Sequence, residues 1–210
     1  MGLFGGFLKK FLKSLFAKKG QIKLGIYGPP NGGKTTLANK ITMDWLGEEM
    51  GTVSPIAHET REIQIKEQIT VKSKNKELTF NLVDTPGIAT KIDYEDFLKA
   101  GLEEKEAKTR AKEATKGVID SIKWLDDMDA VVLVLDSTKD PYSQVNITII
   151  GNLEARKIPV LIVANKMDLK KADIKKVQAA FPQYDVIGIS AKLGTNIDGF
   201  YEALFKLTNK

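Results

Sequence analysis

"GPPNGGKT", Gly28 to Thr35, is the stretch on which the reading of this 210-residue chain turns. It follows a β-branched run, "IKLGIYG" (Ile22–Gly28), and opens a helical pattern over Thr35–Leu46. The spacing is G-x-x-x-x-G-K-[ST] in the strand–loop–helix context that gives this pattern its meaning. Glycines let successive backbone N–H groups curl around a phosphate, and the helix start adds the positive end of its dipole. Asn31, Gly32, Gly33, Lys34, Thr35 and Thr36 are the candidate phosphate contacts. The Lys34 amine can reach β- and γ-phosphates, and the Thr35 hydroxyl can ligate Mg²⁺. A glycine-rich turn without a ligand is the plain alternative.

Working outward, further apolar runs recur at "TFNLVD" (Thr79–Asp84), "AVVLVLD" (Ala130–Asp136), "PVLIVAN" (Pro159–Asn165) and "DVIGIS" (Asp185–Ser190). Runs this continuous suit strands buried on both faces of a parallel sheet. Helical patterns separate them, around Val118–Met128, Gln144–Lys157, Ala172–Phe181 and Ile197–Leu207. Ile63–Val71 alternates instead and turns at "SKNK" into the next run, which predicts an antiparallel hairpin at the sheet edge. Strand–helix alternation implies an α/β fold, a doubly wound and mostly parallel sheet, with ligands at the carboxyl ends of the strands. The domain is expected over residues 21–210, behind a separate segment at 1–20. Within the domain, Lys91–Lys116 is heavily charged and helix-prone, with Glu104–Lys108 and Glu106–Arg110 spaced to pair. It reads as a solvated helix lengthening a loop, or as a mobile element.

Charge sharpens this division. Lys9, Lys10, Lys13, Lys18 and Lys19 precede Gln21 with no acid among them, and removing these five from 32 Lys+Arg leaves 27 to match 27 Asp+Glu. A neutral body argues against a broadly basic nucleic-acid-binding surface. There is no cysteine, hence no disulfide framework and no thiolate metal site. The first segment lacks the cleavage pattern of a secretory signal, and no run reaches the ~18 apolar residues of a membrane span.

Three more motifs sit at strand ends. "DTPG" (Asp84–Gly87) places a carboxylate where it can hold Mg²⁺ through water, and a Gly87 N–H that can face a γ-phosphate. "NKMD" (Asn165–Asp168) and "SAK" (Ser190–Lys192) suit a guanine base. The Asp168 carboxylate can accept from guanine N1 and N2, where adenine presents the wrong edge. Asn165 can tie the loops together, the Lys166 stem can cover the base face, and the Ala191 N–H can meet O6.

These four motifs resemble the signature set of the translation-factor-related GTPases, most nearly the Era-type branch, across Gln21–Lys210. The resemblance implies a GTP-hydrolysing switch that uses Mg²⁺. It also implies a loop threonine that senses Mg²⁺ and the γ-phosphate: Thr60 in "HETRE" by position, with Thr52 as the alternative. His58, the single histidine, reads as a solvated loop residue. Ras-like relatives carry a water-orienting Gln after DxxG; here Ile88 stands there, so unaided turnover should be slow. Era-type members that use potassium have an Asn in the phosphate loop, matched by Asn31, which can equally serve a tight turn. Catalytic roles thus fall to Lys34, Thr60, Gly87 and Asn31. Many Era-type relatives carry an RNA-binding domain after this one; no such module is read here, so nucleic acid is an unexpected partner.

The opening segment, "FGGFLKKFLKSLFAKKG" (Phe4–Gly20), sets Phe4, Phe7, Leu8, Phe11, Leu12, Leu15 and Phe16 on one side of a helical wheel, with lysines opposite. This is an interfacial pattern similar to the N-terminal helix of Arf-type GTPases. It favours an anionic membrane surface, and hence a cytoplasmic protein held peripherally at the cytoplasmic face. Docking on the domain, or in the groove of an unidentified effector or activator, are the alternatives. So is an RNA or ribosomal partner for the arm, which would make the chain an assembly GTPase.

Overall fold

The computed structural model describes residues 22–50, 62–73, 76–89, 92 and 94–207. Strand β1 (Ile22–Tyr27) leads into helix α1 (Lys34–Leu46), followed by β2 (Gln64–Ser73) and β3 (Lys76–Asp84). Two helices come next, α2 (Tyr94–Lys99) and α3 (Glu104–Trp124), and then β4 (Ala130–Asp136). The chain continues through α4 (Gln144–Ala155), β5 (Val160–Asn165), α5 (Ile174–Ala180), β6 (Asp185–Gly188) and α6 (Ile197–Leu207). The six strands lie in the order β2-β3-β1-β4-β5-β6. All neighbouring pairs are parallel except β2–β3, which is antiparallel. The doubly wound, mostly parallel α/β sheet expected from the sequence is what forms.

The apolar runs are continuous because both faces of the sheet are covered. Leu24 and Ile26 join Leu37 and Ile41 of α1 and Phe200 and Leu204 of α6. On the opposite face Tyr27, Leu133 and Leu135 join Ile149 and Leu153 of α4 and Val177 of α5. Every position of β4 and of β5 is buried. Each fully buried large aliphatic contributes about 1.5–3 kcal/mol, so the sheet is a stiff frame for the loops at its ends. The edge strand β2 steps from Lys66↔Leu82 to Ile69↔Phe80, a bulge at which Gln68 takes φ 56 and its N–H donates to Asn81 Oδ1 at 2.9 Å. One extra residue flips the pleat. Ile63 therefore packs on one face of the sheet and Ile69 and Val71 on the other.

The charged stretch is helical, as its composition implies, but the helix boundaries differ from the expected ones. A helix was expected over Val118–Met128; α3 instead runs unbroken from Glu104 to Trp124, with α2 ahead of it. Its buried stripe is Ala107, Arg110, Ala114, Gly117 and Ser121, mostly small residues whose helical spacing carries little hydropathy. Phe97 of α2 packs with Ala107 and Ala114 in a small cluster apart from the main core. Lys108 pairs with Glu104 as the spacing implied.

Several expectations fall outside the described residues: the amphipathic segment with Phe4, Phe7, Leu8, Phe11, Leu12, Leu15 and Phe16, the threonines Thr52 and Thr60, and His58. Among the described residues no helix is long and apolar enough to cross a membrane.

Candidate functional site

The loops after β1, β3, β4, β5 and β6 meet at the carboxyl edge of the sheet, and hydrogen bonds between them build one frame. The phosphate loop supplies the first part. Gly33 caps α1 at φ 94, and no side chain caps that helix. An added Cβ at Gly33 would sit 2.3 Å from Asn165 Nδ2, so both conformation and space require glycine. With no side chain capping the first turn of α1, the positive end of the helix dipole is open to an anion at this loop. Asn31 is exposed at φ 58, a left-handed conformation that asparagine tolerates.

Lys34 is buried and its amine donates to the Pro29 carbonyl at 3.1 Å. Burial pushes that amine down to about 8, opposed by the Asp84 carboxylate. Asp84, fully buried at the end of β3, accepts from Thr35 Oγ1 at 2.7 Å through Oδ2. Burial raises its carboxyl above the usual range, against the pull of Lys34 and Thr35. Its other oxygen, Oδ1, is buried and accepts no hydrogen bond among the described residues. An orphaned carboxylate oxygen beside a threonine hydroxyl fits a hydrated Mg²⁺, which prefers one or two protein oxygens and its own waters. Thr35 and Asp84 are the described residues that would hold it.

The next residues are pinned against the phosphate loop. Thr85 Oγ1 donates to Ile26 O at 2.7 Å, and the Ile88 N–H to Gly28 O at 3.1 Å. An added Cβ at Gly87 would meet the Pro30 backbone at 2.8 Å, which is why that position is glycine. Ile88 is 2% exposed and packs in the core. It can neither orient water nor reach a phosphate, so its role is packing.

At the base end Asn165, 3% exposed, spends its whole side chain on the frame. Its amide donates to Gly32 O at 3.0 Å, and its Oδ1 accepts the Ala191 N–H at 3.0 Å. Phosphate loop, NKMD and SAK are therefore joined through one residue. The Ala191 N–H, expected to meet guanine O6, is engaged by Asn165 instead, because a buried amide must satisfy both of its ends. Ser190 Oγ accepts from the Leu193 N–H at 3.1 Å, closing the turn that carries Lys192. Asp168 is exposed, and its carboxylate has no hydrogen bond among the described residues.

Three contributors were not singled out from sequence. Asp136, at the end of β4, accepts from Lys166 Nζ at 2.7 Å and from Thr138 Oγ1 at 2.6 Å. Partial burial works the other way, but these bonds hold its carboxyl below the usual range. Ser137 Oγ donates to the Asn165 carbonyl at 2.6 Å. The signal was available, since β4 ends at the same edge as the recognised motifs.

Residues 23–166 match the family model described as 50S ribosome-binding GTPase. The chain belongs to that GTPase family. It is 31% identical over 185 residues to GTPase Era of Rickettsia conorii, covering 86% of this chain and 46% of the relative. It is 33% identical over 193 residues to GTPase Der of Thermotoga petrophila, covering 87% of this chain and 38% of that one. The chain thus spans about half or less of the length of these relatives. A crystal structure of Era in complex with MgGDPNP and nucleotides 1506–1542 of 16S ribosomal RNA superposes with a TM-score of 0.67. It is 24% identical, over 88% of this chain and 56% of that one. That complex, a related GTPase with ribosomal RNA, corrects the expectation that nucleic acid is an unexpected partner; the balanced charge of the body is no ground for excluding it. Membrane recruitment rests on residues outside the described ones, and none of these matches supports it.

Proposed function

We propose that the chain is a GTP-hydrolysing switch serving ribosome or RNA assembly, the second of the two readings that its sequence allows. The observation that carries the nucleotide part is the Asn165 bridge, which locks the phosphate loop to both base loops at hydrogen-bond distance. The assembly part is supported by the family and by the Era relative whose structure holds ribosomal RNA.

In this account the N–H groups of Gly32, Gly33, Lys34, Thr35 and Thr36 and the Lys34 amine hold the β- and γ-phosphates. Bound Mg²⁺, held by Thr35, Asp84 and a loop threonine, Thr60 or Thr52, would neutralise phosphate charge. Gly87 offers its N–H towards the γ-phosphate. Asp168 reads guanine N1 and N2 while the Lys166 stem, steadied by Asp136, covers the base. With Ile88 in the core, no side chain at that position positions water. Slow turnover follows unless a partner, or a potassium ion near Asn31, supplies the missing charge.

Cosedimentation of the full chain with purified ribosomal subunits or with anionic liposomes, in GDP and in a non-hydrolysable GTP analogue, tests this reading. Pelleting with a ribosomal subunit in the GTP-analogue state is the expected result. Pelleting with liposomes alone would overturn it.

A further inference from the structure

The neutrality of the body conceals a local segregation of charge. From Leu169 to Pro182 the sequence holds four lysines, Lys170, Lys171, Lys175 and Lys176, against one acid, Asp173. All four lysines are exposed, and none is in an ion pair among the described residues. Asp173 forms no ion pair with them among the described residues; its carboxylate caps α5 by accepting the Lys176 backbone N–H at 3.2 Å, and four lysines against one acid leave the stretch at +3. The acid on the neighbouring helix, Glu154, is taken by Gln183 and Tyr184. Elsewhere the charges are interleaved: α3 alternates Glu104, Lys105, Glu106 and Lys108, and two of these pair with each other.

Packing fixes the direction in which the lysines face. Ile174, Val177 and Phe181 of α5 and its end turn inward on the core. At about 100° per residue, Lys175 and Lys176 then lie well away from the buried stripe. Lys170 and Lys171 sit in the turn just before this helix, closed by the Ala172 N–H on Leu169 O at 2.9 Å. The turn is also anchored to the nucleotide frame. The Asp173 N–H donates to Ser137 O at 3.0 Å, and the Ser137 hydroxyl holds the Asn165 carbonyl. From Leu169 to Lys176 there is no aromatic, Arg, Asn or Gln side chain to stack on a base or read its edge. Ammonium groups without such partners recognise phosphates and not sequence.

We infer that Lys170, Lys171, Lys175 and Lys176 form a docking surface for the phosphate backbone of RNA, beside the guanine loop. The inference rests on the ribosome-associated reading above and gives it a surface on this domain.

Fluorescence anisotropy of the full chain with a labelled 20-nucleotide oligouridine, titrated at several KCl concentrations, tests it. Single-strand binding loses about 0.7 in log–log salt slope per phosphate contact removed. Replacing the four lysines together (Lys170→Gln, Lys171→Gln, Lys175→Gln, Lys176→Gln) should therefore flatten the slope by about 3. Between 50 and 200 mM KCl the unmodified chain should then lose about 50-fold more affinity than the variant. The matched variant Lys105→Gln, Lys112→Gln, Lys116→Gln and Lys123→Gln carries the same charge change on α3 and should leave the slope close to that of the unmodified chain. Equal flattening by both variants, no flattening by the first, or no measurable oligouridine binding by the unmodified chain would each overturn the inference. So would loss of phosphatidylserine-vesicle binding by the first variant with RNA binding retained. GDP binding by the same preparations separates the two levels. An unmodified chain that binds no GDP contradicts the nucleotide reading, whereas intact GDP binding with an unchanged salt slope contradicts the lysine surface alone.

Discussion

Removing the Asn165 side chain should loosen the whole nucleotide frame. In Asn165→Ala two buried backbone groups lose their partners: the Gly32 carbonyl and the Ala191 N–H, each now bonded at 3.0 Å. An unsatisfied buried group costs about 1–3 kcal/mol, so the pair should cost roughly 2–6 kcal/mol. For a domain of this size each kcal/mol lowers the melting temperature by about 2–4 °C, which predicts a drop of about 10 °C. Asn165→Asp is the sharper companion. It keeps an acceptor for the Ala191 N–H but sets a carboxylate oxygen against the Gly32 carbonyl, so it should melt at least as early. Thermal denaturation followed by circular dichroism measures the stability part. Binding of a fluorescent GDP analogue measures the functional part, and affinity should fall in both variants as the phosphate and base loops uncouple. Melting within about 2 °C of the unmodified chain, together with unchanged affinity, would refute the bridging role.

Asp168→Asn should move preference towards xanthine nucleotides, whose 2-oxo group accepts from the new amide; competition binding with xanthosine diphosphate reads this. Lys34 gives a pH signature. Its amine sits near 8 when folded against an ordinary 10.5, so between those values only the unfolded chain holds the proton, and nucleotide-free stability should rise with pH. Measured against Lys34→Met by denaturant titration, the rise should approach about 3 kcal/mol, and GDP, whose phosphates favour the charged amine, should suppress it. If Asn31 helps to hold potassium, exchanging sodium for potassium should accelerate phosphate release and Asn31→Ala should abolish that gain. Equal rates in the two salts would leave Asn31 as the residue that the left-handed turn requires.

The parts of the fold that are legible in the sequence are those where one physical demand dominates. Burial of β4 and β5 on both faces writes continuous apolar runs, and each run ends in a motif at the same edge of the sheet. Where small residues do the packing, the pattern weakens. The stripe Ala107, Ala114, Gly117 and Ser121 hid the continuity of α3 beneath its surface charges. Hydrogen-bond assignments were harder still. The sequence marks Asn165 as a link between loops, but its capture of the Ala191 N–H depends on a three-dimensional count of donors and acceptors. Asp136 carries no such mark, since a single carboxylate ending a strand has no motif around it, although it fixes Lys166. The exposed lysines around α5 disappear in a net charge taken over the whole body.

Equilibrium binding of GTP and ATP to the purified full chain, with phosphate release followed in the same preparation, tests the central claim most directly. Asp168 and the frame held by Asn165 predict that GTP and GDP bind at least about a thousandfold more tightly than ATP, with slow phosphate release from GTP alone. Comparable affinities for GTP and ATP, or phosphate release from both, would contradict the account.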